Sequence, residues 1–152
     1  MRLIIILVCL IPYTSLLADN DISDVYGYWL NESKEYIVEI YNDNNVIKGK
    51  VIWLSEAKDI YGQPLRDVMN DEPKYRSRLI MGLDVLDGFE FDEDVWKSGI
   101  LYNFKTGNDY NIRMKIDNKG QLRLTGYYGI LFFLGKTKVW TRVKDLKNYG
   151  IN

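Results

Sequence analysis

The sequence predicts one all-β domain, an antiparallel up-and-down β-barrel of about 8–10 strands, behind an N-terminal export signal. Three observations predict it. Apolar and polar residues alternate with a period of two in run after run. Clusters of Asn, Asp, Gly and Ser separate those runs at short intervals. Between them there is no stretch with the 3.6-residue periodicity of an amphipathic helix.

In chain order, the first element is the leader. Met1-Arg2 is followed by an unbroken apolar run from Leu3 to Ile11, then Pro12 and a small residue, Ala18, before Asp19. One positive charge, a short apolar core and a small residue at the end read as a secretory signal peptide over 1–18. The run is shorter than the roughly 20 residues a membrane-spanning helix needs. The domain would then be 19–152, in a periplasmic or secreted protein, and no later stretch is apolar for long enough to span a bilayer.

Strands are expected near 25–30, 35–41, 46–54, 79–86, 87–92, 96–104, 109–117, 121–128 and 135–143. Tyr110-Asn111-Ile112-Arg113-Met114-Lys115-Ile116 alternates cleanly, as do Gln121-Leu122-Arg123-Leu124-Thr125 and Lys138-Val139-Trp140-Thr141-Arg142-Val143. Tyr36 to Tyr41 and Ile47 to Trp53 are rich in strand formers. Residues 55–78, with Gly62, Pro64, Pro73 and many charges, read as a long surface crossing. Near-regular short strands without helices mean a barrel or sandwich.

Composition narrows the chemistry. The chain has no His and one Cys, and that residue, Cys9, lies inside the leader. A Ser-His-Asp triad, Cys-dependent catalysis and His-ligated haem are therefore excluded, and the usual nitrogen and sulfur ligands of zinc are missing from the domain. No disulfide, metal or other cofactor is expected. The formal net charge of −1, becoming −2 without Arg2, offers no electrostatic footprint for nucleic acid. A domain of this size can bury an adequate core unaided, and a monomer is expected.

Gly27-Tyr28-Trp29 on the first strand and Trp140-Thr141-Arg142 on the last resemble the calycin pattern of lipocalins and fatty-acid-binding proteins. The resemblance implies a barrel whose base is closed by Trp29 with Arg142 across its indole. Gly27, Trp29, Trp140 and Arg142 are accordingly the expected closure residues. A guanidinium over an indole contributes about 0.5–2 kcal/mol.

A wider resemblance, covering about 25–143, is to the exported bacterial family catalogued as domain of unknown function 2147. Its segments run in order: Gly27-Tyr28-Trp29, Lys48-Gly49-Lys50-Val51-Ile52-Trp53-Leu54, Arg78-Leu79-Ile80-Met81-Gly82-Leu83, Trp96-Lys97-Ser98-Gly99-Ile100-Leu101-Tyr102, Gly107-Asn108-Asp109-Tyr110, Leu124-Thr125-Gly126-Tyr127-Tyr128-Gly129 and Trp140-Thr141-Arg142-Val143. The chain departs from the family at Asn103-Phe104, where Asp-Pro is usual, and at Ser98, where Gly is usual. The resemblance implies a barrel in the cell envelope and no particular activity.

The leading reading is non-catalytic binding of a small apolar or lipid-like molecule inside the barrel. Inward groups would supply the surface: Trp53, Tyr102, Tyr110, Met114 and Leu124, with Arg78 clamping a carboxylate at the mouth. Arg76 and Arg78 read at least as well as ties that hold the crossing down. One alternative is a protein–protein interaction module with a filled barrel. The other is a carboxylate-dependent hydrolase, for which Asp84, Asp87, Glu90, Asp92, Glu93 and Asp94 are the nearest approach to paired acids; a solvated hairpin explains them better. The run Ile130-Leu131-Phe132-Phe133-Leu134 between two glycines is read as core or end-cap rather than an exposed lid.

Overall fold

The computed structural model describes residues 21–127 and 135–151. The proposed leader 1–18, with Cys9, and the apolar run 130–134 lie outside the described residues. Eight strands close into one barrel in sequence order: β1 Gly27–Leu30, β2 Tyr36–Asp43, β3 Val46–Leu54, β4 Asp84–Asp92, β5 Val95–Asn103, β6 Asn108–Ile116, β7 Leu122–Gly126 and β8 Thr137–Val143. All neighbours are antiparallel, and β1 pairs with β8, Trp29 lying opposite Arg142. Among the described residues closure leaves no sheet edge unpaired, and each of the eight strands has two neighbours to satisfy its backbone. No helix among the described residues is long and apolar enough to cross a membrane.

The alternation read from the sequence is what sorts inside from outside. On β6, Ile112 and Met114 are buried while Asn111, Arg113 and Lys115 are exposed; on β7, Leu122 and Leu124 are buried and Arg123 exposed. The interior is packed with Trp29, Val38, Ile40, Ile47, Val51, Leu86, Phe89, Trp96, Met114 and Leu122, among others. A second, smaller cluster lies apart from it, joining Leu30, Ile37 and Val143 to Tyr28, Ile52, Trp53, Leu146 and Tyr149. It forms because the chain after β8 makes a short 3-10 turn, Leu146–Tyr149, that adds Leu146 and Tyr149 to it.

Two sequence expectations are corrected. The separate strands expected at 79–86 and 87–92 are one strand, β4, which begins at Asp84 and runs through Gly88. Gly88 has φ 77° without ending the strand; the reversal comes at Glu93 and Asp94, both with positive φ. Residues 79–83 belong to the crossing instead. The chain before β1, expected to start the strand at 25, forms a 3-10 turn, Ile22–Val25, capped by the Asp21 side chain.

Gly99 shows how tightly the interior is filled. A Cβ on Gly99 would lie 2.1 Å from the Phe89 ring, which packs over the glycine from the neighbouring strand. Overpacking of this kind typically costs about 1–3 kcal/mol. Gly99→Ala should therefore lower unfolding free energy by about 2 kcal/mol in urea titrations. In a Phe89→Leu background the same substitution should cost clearly less, because the ring it strikes is gone.

Candidate ligand-binding site at the barrel mouth

The two ends of the barrel differ. At the base, the 3-10 turn Ile22–Val25 is gripped by three side chains. Trp29 Nε1 donates to the Val25 carbonyl at 2.8 Å and Trp96 Nε1 to the Ile22 carbonyl at 3.2 Å. Arg142 donates to the carbonyls of Tyr26, at 2.9 Å, and Asp24. Its guanidinium lies over the Trp29 indole, 4.2 Å from the ring centroid. A Cβ at residue 27 would sit 3.2 Å from the Arg142 Nη1, and Gly27 has φ 120°, so glycine serves there twice. Burial pulls the Arg142 pKa below its ordinary value. Of the four residues expected to close the base, Gly27, Trp29 and Arg142 are found there together. Trp140 is not; it is buried two residues earlier on β8, nearer the opposite end.

That opposite end carries a cleft of about 150 Å³. It is lined by Tyr36, Val85, Leu101, Tyr102, Phe104, Leu124 and Trp140, with Glu32, Ser33, Asn103 and Lys138 completing the wall. Tyr36 is its centrepiece. Its ring meets Phe104 edge-on at 5.3 Å and Trp140 at 5.9 Å and 89°. Three aromatic rings in edge contact make a stiff apolar cup, since each ring's position restricts the next. The rim is polar and paired. Lys138 binds Glu32 at 2.9 Å, and Lys105 binds Glu35 at 2.5 Å. The Lys138 hydrogen bond holds the Glu32 carboxyl below its ordinary range, and Lys105 and Ser33 do the same for Glu35. A hydrolytic general acid needs a shift in the other direction.

The crossing between β3 and β4 is tied down by a buried polar network. Asp67 is 0% exposed. It accepts hydrogen bonds from Arg78 Nε at 2.7 Å and from the Tyr102 hydroxyl at 2.6 Å. Asn70 Nδ2 donates to both Tyr102, at 2.8 Å, and Asp67, at 3.1 Å. The Arg78 guanidinium also lies over the Tyr75 and Tyr102 rings, at 5.0 and 5.3 Å. Desolvation and the Asp67 hydrogen bond raise the Tyr102 pKa. Arg76 adds a 2.6 Å bond from Nε to the Asn70 carbonyl. Arg78 thus acts as a tie within the crossing. Tyr102 is common to both sites, with its hydroxyl in the network and its ring under Arg78, while the residue also forms part of the cleft wall.

The remaining expected ligand-contacting residues divide. Leu124 lines the cleft. Met114 is fully buried lower in the packed interior, and Tyr110 is partly buried against that core; neither lines the cleft. Trp53 is corrected outright. A bulge in the β2–β3 register between Ile37 and Val38 breaks the alternation, and Trp53 packs against Tyr149 in the smaller cluster, with ring centroids 5.0 Å apart. Tyr36, Leu101 and Phe104 were missed. Tyr36 could have been found from its parity with Val38 and Ile40 on β2. Phe104 sits in a turn, where alternation carries no signal. Among the described residues no group of three or more His, Cys, Asp or Glu side chains is placed to hold a metal ion.

A closed eight-stranded barrel with a plugged base and a cleft at the other end is lipocalin-like architecture. The chain belongs to the family described as uncharacterized proteins conserved in bacteria, domain of unknown function 2147, whose model matches residues 27–142. It is similar to a solved structure described as protein HP1028 from the human pathogen Helicobacter pylori, belonging to the lipocalin family. The TM-score is 0.69 at 26% identity, covering 84% of this chain and 89% of that one. No curated protein matches the chain.

Burial raises the Tyr36 pKa from 10.0 to about 12, with the Glu35 charge adding to the effect. The folded pKa exceeds the unfolded one, so the protonated hydroxyl's contribution is complete below about pH 10 and is lost as pH rises toward 12. Stability should fall across that window by about 2–3 kcal/mol from this group. Tyr36→Phe, followed by alkaline urea denaturation, should show a correspondingly shallower fall.

Proposed function

We propose that this is a non-catalytic, exported binding protein that holds one apolar group of a small amphipathic molecule in the mouth cleft. The observation that carries this reading is the Tyr36–Phe104–Trp140 cup, with an ion-paired Lys138–Glu32 rim beside it. An apolar group would enter the cup, and the polar remainder would lie at the rim, where Lys138 can exchange Glu32 for an anionic headgroup. Size limits the ligand. Sites for drug-sized ligands occupy about 300–1,000 Å³, whereas a cavity of about 150 Å³ suffices for a molecule of benzene's size. The ligand is thus engaged by a ring or the end of a chain and is not swallowed whole. The lipocalin-family description of the similar Helicobacter pylori protein supports a binder over an enzyme.

A second reading, an interaction module monomeric in isolation, is favoured by the packed interior together with the crossing's outer surface. Ile60 is 91% and Tyr61 81% exposed there, with Val68, Met69, Leu79 and Met81 also exposed.

The two readings separate on a titration with the fluorescent amphiphile anilinonaphthalene sulfonate, competed by decanoate. Ligand binding predicts saturable fluorescence that decanoate displaces. Leu101→Trp, which fills the cleft from its partly exposed wall, should weaken it at least tenfold with little change in unfolding free energy. Unsaturable binding, or binding indifferent to Leu101→Trp, would sink the cleft as a ligand site.

A further inference from the structure

The outer wall of the barrel over β5, β6 and β7 has a charge pattern the cleft does not explain. Between the paired positions Trp96↔Met114 and Gly99↔Ile112, β5 contains one residue more than β6. Lys97 and Ser98 therefore both stand opposite the single residue Arg113. Such a bulge re-aims side chains, here turning consecutive residues of β5 outward. Ser98 takes φ 61° to make it. That is left-handed backbone, which glycine adopts freely and serine only against strain. The result sets an ammonium, a hydroxyl and a guanidinium around one depression of about 310 Å³, lined by Lys97, Ser98, Arg113 and Tyr127.

A second depression, of about 370 Å³, shares Arg113 and is lined by Val95, Lys115, Arg123 and Thr125. Lys115 and Arg123 are direct cross-strand partners. Like charges in that position repel and weaken a sheet. Lys97 and Arg123 also meet carboxylates at the margins of the wall, Asp92 and Asp117, the latter at 3.2 Å. The chain's net charge is only −1, so this concentration of cations is local.

We propose that this wall binds a ligand carrying phosphate groups, with Lys97, Ser98 and Arg113 taking one phosphate and Lys115 and Arg123 a second. Arginine forks and hydroxyls match phosphate oxygens, and a dianion between Lys115 and Arg123 turns a repulsion into two attractions. The strained serine contributes a hydroxyl donor that glycine would lack. Phosphate of this kind occurs on small soluble esters and on lipid headgroups.

The test uses inorganic pyrophosphate with the purified protein at constant ionic strength. Pyrophosphate should raise the Tm saturably, beyond the effect of chloride. Lys115→Gln should raise the Tm without ligand, by relieving the repulsion, yet weaken pyrophosphate binding at least tenfold. Ser98→Gly should likewise keep or raise the Tm while weakening binding about threefold. Co-sedimentation with phosphatidic acid vesicles, against phosphatidylcholine vesicles, assigns the phosphate to a headgroup if Lys115→Gln abolishes it. Pyrophosphate binding without sedimentation assigns it to a soluble ester. No saturable pyrophosphate effect, or one that both substitutions leave unchanged, would overturn the proposal.

Discussion

Everything in this barrel hangs on the closure of β1 against β8. Up-and-down strands that fail to close leave two edges, each with a row of unpaired backbone groups. Here β1 is only four residues long, and three of them pair with β8, so the seam has few backbone pairs. The Arg142 guanidinium over Trp29, opposite it in register, supplies what the short strand lacks. The same guanidinium and the Trp29 and Trp96 indoles also hold the 3-10 turn across the base through its carbonyls. One small group of side chains thus joins the seam, plugs the barrel and satisfies polar groups that closure would otherwise bury unpaired.

A base filled this way leaves the opposite end as the place where a cleft can open. The packed interior passes into the Tyr36, Phe104 and Trp140 rings, and beyond them the crossing stands beside the mouth. Asp67 fixes that crossing at the cost of a buried carboxylate, tolerable because Arg78, Tyr102 and Asn70 all reach it. Removing any one partner of such a network leaves a desolvated charge short of a bond, so the network behaves as a unit. Tyr102, bonded into the network, also contributes to the cleft wall, so the crossing is anchored beside the cup.

Much of this was legible in the sequence wherever side-chain period carries information. The inner faces of β6 and β7 follow directly from alternation, as does the exposure of Arg113, Lys115 and Arg123. The pairing of Gly27 and Trp29 with Arg142 at opposite ends of the chain pointed to the closed base. Alternation fails where the backbone adds a residue or changes hand. The break expected between 86 and 87 falls inside β4, which runs on through Gly88 although that residue has positive φ. Trp53 looks inward-facing until the bulge at Ile37 and Val38 shifts its parity. Asp67 and Asn70 gave no signal, since an acid and an amide in a charged loop read as solvated until tertiary contacts bury them. Trp140 was tied to the base by its nearness to Arg142, yet two residues along a strand carry it toward the other end.

The most direct test of the closure account is equilibrium urea unfolding of Trp29→Ala and Arg142→Met, singly and together. The account predicts a loss of about 3–5 kcal/mol for Trp29→Ala, as for other large aromatic truncations in packed cores. It also predicts that the double variant loses clearly less than the two single losses combined, because both remove the same stack. A Trp29→Ala protein as stable as the unaltered chain, or strict additivity of the two substitutions, would contradict it.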